Sequence, residues 1–191
     1  MAAQLRQRTR ASHEQVEADL DLLDPALTPA RLGAVLVRFH SLWDAAERAL
    51  DAWAADAPAL AGELDWPRRR RAEVLRGDVA ALGAPLDRAA APSPVAVPAT
   101  DADALGWLYV AEGSTLGGAV ISRRIVPLGL AVRSFTPYAE GPGPMWRRYH
   151  EVLEAWVDGD EIRAHAVASA AARSFDALAE WVAPLRREAV A

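Results

Sequence analysis

The chain has 191 residues, of which 52% are hydrophobic and 25% are charged, and its mean hydropathy is near zero. This length and composition predict one folded domain over residues 1–191 and argue against wholesale disorder. A formal net charge of −5 argues against nucleic-acid binding, and the absence of cysteine excludes disulfides and thiolate chemistry. Charged residues interrupt every apolar run before it could span a membrane, and no secretory signal is recognisable. We therefore expect a cytoplasmic protein that does not enter a membrane.

Apolar residues recur at helical spacing along the chain and nowhere alternate as in a strand, which predicts an all-α bundle of about six helices. In chain order, the predicted helices cover residues 3–23, 29–55, 67–82, 101–126, 145–157 and 160–182. Thr28 is the expected N-cap of the second helix, and Thr100 or Asp101 is that of the fourth.

The remaining stretches carry charge or helix-breaking residues. Four consecutive arginines at 68–71 are expected to open the third helix as a solvated face, as charge runs usually do. Residues 89–100 are rich in proline, and residues 135–144 are rich in glycine and proline. We expect both stretches to be irregular connections within the domain.

The fourth predicted helix contains three glycines within six residues, Gly113, Gly117 and Gly118. Each costs about 1 kcal/mol relative to alanine inside a helix, although the chain uses alanine freely elsewhere. Gly113 and Gly117 share a face with Tyr109 and Ile121, so the helix backbone is bare there. The bare face predicts either the close approach of a flat ligand or a tight contact between two helices.

His13 lies in the first predicted helix, with Thr9 one turn before it and Glu17 one turn after it on the same face. A neutral imidazole whose second nitrogen contacts a carboxylate is a common axial ligand of heme iron, and Glu17 is placed to be that carboxylate. A single histidine on a half-apolar helix is also compatible with a purely structural role, and the other histidines of the chain are equal candidates at this point.

Several stretches match one known family. The densest is Leu-Gly-Trp-Leu-Tyr-Val-Ala-Glu-Gly-Ser-Thr-Leu-Gly-Gly at residues 105–118, and the motif Thr9-x-x-x-His13-x-x-x-Glu17 precedes it. Residues 38–39, 146–153 and 172–175 complete the match. With these residues the chain resembles the bacterial biliverdin-producing heme oxygenases, particularly the type found beside bacteriophytochromes.

The resemblance implies a single helical bundle of the heme oxygenase type that binds heme b as both cofactor and substrate. It gives His13 the role of proximal iron ligand, with Thr9 and Glu17 beside it. Gly113, Gly117 and Gly118 would form the distal wall, over which O2 reacts at the iron. The implied products are biliverdin, carbon monoxide and Fe2+. The implied partners are an electron donor, a ferredoxin or an NAD(P)H-dependent reductase, and a bacteriophytochrome that receives biliverdin.

Further site residues follow from the resemblance position by position. Arg6 matches a basic residue near the heme propionates. Arg147 is a second candidate for a propionate contact, although an arginine that is simply exposed to solvent is equally compatible with this position. Phe175 matches a residue at the heme edge, and Tyr109 shares the bare face. Ser114 stands where animal-type members have an aspartate, so the hydroxyls of Ser114 or Thr115, with ordered water, would have to supply protons. Both hydroxyls could instead bond to the carbonyl one turn earlier.

Two other functions stay open at this point. The missing distal aspartate is compatible with a non-catalytic heme or tetrapyrrole binding protein of the same fold. The bundle could also serve another small molecule or a di-iron centre, but no convincing Glu-x-x-His set is present in the sequence.

Overall fold

In a computed structural model, which describes residues 1–86 and 98–188, every regular element within those ranges is helical. The helices are α1 (Ala2–Leu20), α2 (Pro29–Asp56), α3 (Pro58–Glu63), α4 (Ala72–Ala81), α5 (Asp101–Ile125), α6 (Gly143–Val157) and α7 (Glu161–Glu188). Short 3-10 helices cover Trp66–Arg69 and Val126–Leu128. The all-α prediction is confirmed. Of the predicted connection at 89–100, residues 89–97 lie outside the described residues.

The helix ends follow local capping chemistry. The Thr28 side chain accepts a hydrogen bond from the Arg31 N–H, and the Thr100 side chain accepts one from the Asp103 N–H, so both predicted threonine caps are confirmed. The first helix ends at Leu20, before the predicted residue 23. It ends there because Asp21 adopts a left-handed conformation, with φ of 45°, and its N–H closes the last turn on Glu17.

The predicted third helix, 67–82, is wrong in its first part. A 3-10 helix covers Trp66–Arg69, and extended backbone at Arg70 follows before α4 begins at Ala72. The short helix α3, which the periodicity missed, precedes this stretch. The solvated reading of the arginine run is also wrong for two of its members. The side chains of Arg69 and Arg71 are buried, whereas those of Arg68 and Arg70 are about half exposed.

Helix α7 is the central packing element of the fold, because it contacts both α1 and α5, while α2 packs against α4. The contact between α5 and α7 is close at Gly106, where a Cβ atom would lie 2.5 Å from the Cβ of Ala170. The absence of a side chain at Gly106 is therefore what lets the two helices approach. Within the described ranges, none of the helices combines the length and the apolar character that a membrane crossing needs.

Candidate functional site

A cleft opens between α1 and α5, and residues of α2 and α7 complete its lining. It encloses about 820 Å³ of space not filled by atoms, counted out to its open mouth. Most of the lining is apolar: Val16, Leu20, Phe39, Val110, Ile121 and Leu178. A neighbouring groove shares His13, Glu17, Gly113, Gly117 and Phe175 with the cleft and extends it along α1 toward Arg6. A largely apolar cleft suits a flat organic ligand with a polar edge.

His13 lies on the α1 wall at the mouth of the cleft, with its side chain 52% exposed. Its Nδ1 is 3.5 Å from Oε2 of Glu17, as the shared helix face predicted. The ring also meets the ring of Phe175 edge to face, with 5.6 Å between the centroids. All four histidines lie within the described ranges, and of these His13 alone lines the cleft or its groove.

The glycines of α5 differ in what surrounds them. At Gly117 a Cβ atom would meet no other atom within 4 Å, and at Gly113 it would meet only the Trp146 ring, at 3.9 Å. At Gly118 it would clash with the carbonyl oxygen of Phe135. Gly113 and Gly117 therefore give the cleft a bare backbone wall, while Gly118 lets a loop pack closely on the helix.

The two hydroxyls predicted beside these glycines have different surroundings. The Oγ of Ser114 lies in the lining of the cleft and donates to the Ala111 carbonyl at 2.7 Å. Thr115 is buried, donates to the Glu112 carbonyl at 2.6 Å, and lines neither the cleft nor the groove. The alternative in which each hydroxyl bonds to a carbonyl of its own helix thus describes both residues. Of the two, Ser114 lies at the cleft, whereas the Thr115 side chain is buried in the protein.

Of the other residues predicted to contact the ligand, some line the groove and others do not. Arg6 and Tyr109 line the groove, where Tyr109 packs beside the Trp146 ring with 5.7 Å between the centroids. Thr9 also borders the groove, but its hydroxyl donates to the Leu5 carbonyl and the residue is buried. Arg147 is exposed and lines neither space, so the solvated reading holds for it.

A buried charged cluster beneath α5 was not predicted. It consists of Glu112, Arg69, Arg71 and Tyr138, which we call the Glu112 cluster. The Oε1 of Glu112 lies 3.1 Å from Arg69 Nη1 and 3.6 Å from Arg71 Nη2, and it accepts a hydrogen bond from the Tyr138 hydroxyl at 2.8 Å. Burial, with the Glu112 carboxylate as the next cause, raises the pKa of Tyr138 well above its usual value.

One signal for this cluster is present in the sequence. Glu112 follows Leu105 and Leu108 at spacings of seven and four, so it falls on the apolar face of its helix. A carboxylate on a buried face needs a cationic partner, and the arginine run supplies two. That run lies about forty residues away in the sequence, so a local pattern does not pair it with Glu112.

No group of three or more His, Asp or Glu side chains in the described part of the chain is close enough to hold a metal ion. A di-iron centre would need such a group. The chemistry of the lining instead fits a porphyrin: an apolar cleft, one imidazole at its mouth and an arginine at the edge of the groove.

Comparison with known proteins identifies the family of the chain. The family model described as heme oxygenase matches residues 1–183. A relative named heme oxygenase, from Xanthomonas campestris pv. campestris (strain 8004), is 40% identical over 142 residues, which make up 72% of this chain and 81% of the relative. The chain therefore belongs to the heme oxygenase family and is an enzyme of this kind.

Proposed function

We propose that heme b binds in the cleft between α1 and α5, with His13 as the iron ligand and the backbone at Gly113 and Gly117 as the opposite wall. One observation carries this proposal. His13 is the histidine of the cleft lining, and the same cleft is lined by two glycines whose missing side chains leave open space.

Glu17 orients the imidazole of His13, the proposed iron ligand. With its Oε2 at 3.5 Å from Nδ1 of His13, it favours the tautomer that carries the proton on Nδ1. This leaves Nε2 as the nitrogen with a free lone pair, and the carboxylate makes that nitrogen a better donor to iron. The edge contact with Phe175 restricts rotation of the imidazole further.

Bound heme supplies the iron at which O2 is activated, and it is itself cleaved to biliverdin, carbon monoxide and Fe2+. The protein residues bind it, orient it and keep bulk water away. The apolar lining excludes water from the porphyrin faces. Arg6 is a groove cation suited to a propionate, whereas Arg10, the other arginine of the groove, pairs with Glu14. Ser114 is one of two hydroxyl residues of the cleft lining, with Ser134, that are suited to hydrogen bonding near the reaction.

The electron donor is a separate protein, a ferredoxin or an NAD(P)H-dependent reductase. A bacteriophytochrome is a natural recipient of the biliverdin formed. The cytoplasmic location expected from the sequence stays a prediction.

A stoichiometric titration tests the proposal. One equivalent of hemin is added to the purified protein, ascorbate is added in air, and the Soret and red absorption bands are followed. We expect the Soret band to decay while the broad red band of biliverdin grows. The alternative of a non-catalytic binding protein, favoured by Ser114 in place of an aspartate, predicts a complex that is stable to ascorbate in air.

A pair of variants tests the ligand. His13→Ala should shift the Soret band of the hemin complex and abolish turnover, and added imidazole should restore part of both. His165→Ala is the matched control, because His165 is exposed and lies outside the cleft. Normal turnover by His13→Ala would refute the assignment of His13.

A further inference from the structure

The bare face of α5 is bounded by a side chain at each end. Tyr109, which lines the groove, precedes Gly113 on this face, and Ile121, which lines the cleft, follows Gly117. Tyr109 and Ile121 lie 12 residues apart, which corresponds to about 18 Å along the helix axis. This length is comparable with the width of a substituted porphyrin. A flat ligand on this face therefore has little room to slide along the helix.

An indole ring from α6 reinforces the Tyr109 end of the bare face. The Cη2 and Cζ3 atoms of Trp146 lie 3.9 Å from the position of a Cβ atom at Gly113, whereas no atom lies within 4 Å of that position at Gly117. Trp146 is only partly buried, and it lines the groove together with Tyr109. The bare face is thus open at Gly117 and adjoins an aromatic ring at Gly113.

The Trp146 ring is held in place by other aromatic rings. It stacks on the ring of Tyr149, with 5.8 Å between the centroids and 24° between the planes, and the His150 ring meets it edge to face at 4.5 Å. Tyr149 is fully buried, and its hydroxyl donates to the Leu105 carbonyl of α5 at 2.9 Å. Close packing of this kind leaves the indole ring no second position at low cost. A ligand in the groove therefore has to fit against Trp146.

A fixed ring at this place affects the outcome of the reaction. The porphyrin ring is nearly fourfold symmetric about its iron, so rotation in its own plane keeps the iron at His13 but exchanges the meso carbons. The apolar side chains of the lining exclude water without distinguishing these orientations. Contacts at the rim of the porphyrin are therefore needed to select one orientation.

We propose that Trp146 is a specificity-determining residue, whose ring contacts the porphyrin rim beside Gly113 and fixes the porphyrin in its plane. By this contact Trp146 decides which meso carbon is cleaved and which isomer of biliverdin is formed. The inference rests on the proposed heme site, because it gives the ring this role only if heme occupies the cleft.

The isomers of biliverdin formed with ascorbate, separated by chromatography, give the first measurement. In Trp146→Leu we expect the fraction of any minor isomer to rise by about fivefold, the effect of one lost aromatic contact. Trp146→Phe keeps a ring against Tyr149 and should give a smaller rise. Trp156→Leu is the matched control, because Trp156 is in the same helix but lines neither the cleft nor the groove, and it should leave the isomers unchanged.

The second measurement needs no turnover. The order of the hyperfine-shifted heme methyl resonances in the proton NMR spectrum of the ferric hemin–cyanide complex reports the orientation of the porphyrin in its plane. We expect one in-plane orientation in the wild type and in Trp156→Leu. Trp146→Leu should add a set of resonances whose methyl order corresponds to a rotated porphyrin, while its hemin Kd rises by less than about tenfold.

Unchanged isomers and an unchanged methyl order in Trp146→Leu would overturn the proposal, even with weaker hemin binding, because Trp146 would then be only part of the lining. Comparable amounts of two isomers from the wild type would also overturn it, because the ring then selects no orientation. If Trp146→Leu does not fold, Trp146→Phe decides by the same two measurements. A wild-type protein that binds hemin but forms no biliverdin would instead reject the proposed function, and the methyl order alone would then decide on Trp146.

Discussion

Replacing Gly117 with alanine should stabilise the protein without ligand and weaken its binding of heme. Gly117 lies inside α5, and a Cβ atom there would meet nothing within 4 Å. Alanine in place of glycine inside a helix gains about 0.5–1 kcal/mol when the new methyl group meets no obstacle. For a chain of this size, the gain raises the Tm of the ligand-free protein by about 1–4 °C.

The same methyl group projects into the cleft. If the porphyrin lies against the bare backbone at Gly117, the added carbon forces either the ligand or the helix to move. Overpacking of this kind costs about 1–3 kcal/mol, so the hemin Kd should rise by about fivefold or more. Biliverdin formation with ascorbate should fall with it. Gly77→Ala is the matched control, because Gly77 also lies in a helix with nothing within 4 Å of its Cβ position, but outside the cleft.

Thermal unfolding followed by far-UV circular dichroism gives the Tm of each ligand-free variant, and a Soret titration gives its hemin Kd. Both variants should show the rise in Tm, and only Gly117→Ala should show the loss of hemin affinity. Unchanged hemin affinity in a stabilised Gly117→Ala would show that the backbone at this position does not contact heme. A lowered Tm in Gly117→Ala alone would refute the conclusion that the position is free of contacts.

Three further predictions concern stability. Gly106→Ala should lower the free energy of unfolding in urea by about 1–3 kcal/mol, because its Cβ would lie 2.5 Å from that of Ala170; an unchanged value would contradict the close helix contact. Glu112→Gln should lower it by about 3 kcal/mol, because two buried arginines lose their counter-charge, whereas the exposed Glu73→Gln should leave it close to the wild-type value. Burial lowers the pKa of His150 below the value of about 6.5 in the unfolded chain, so its stabilising contribution is present above that pH and is lost as the pH falls through the folded pKa. Urea unfolding of His150→Gln should therefore lose stability less steeply below about pH 6.5 than wild type, and parallel curves would reject this role.

The helices that could be predicted are those whose boundaries depend on neighbouring residues. Two local signals identify them: the threonine caps at 28 and 100, and the long apolar periodicities of α2, α5 and α7. Both signals depend on residues within one or two helical turns, so they can be recognised in the sequence. The region between residues 57 and 71 could not be predicted in this way. Its path depends on Arg69 and Arg71, whose carboxylate partner Glu112 lies more than forty residues away in the chain.

The site residues likewise divide into those that a local pattern identifies and those that depend on tertiary packing. The motif from Thr9 to Glu17 and the glycines of α5 could be identified from spacing, because a helix face is a local property. What surrounds each glycine could not be derived from the sequence, because it depends on tertiary packing. The Phe135 carbonyl, from a loop outside the helix, packs on Gly118, whereas Gly117 faces open space. The sequence left two alternatives open for Thr115 and for Arg147 for the same reason, since the direction of a side chain depends on how its helix is packed.

The width of the cleft is set by α7, the helix that both walls share. On one side α1 is tied to α7 by hydrogen bonds from Ser12 to Asp176 and from Arg8 to Ser169, at 2.7 and 3.1 Å. On the other side α5 approaches α7 at Gly106, where no side chain separates the two backbones. A side chain at Gly106 would therefore displace α5 relative to α7, and with it the α5 wall that faces His13 on α1. It follows that Gly106→Ala should weaken hemin binding as well as stability, although Gly106 does not line the cleft.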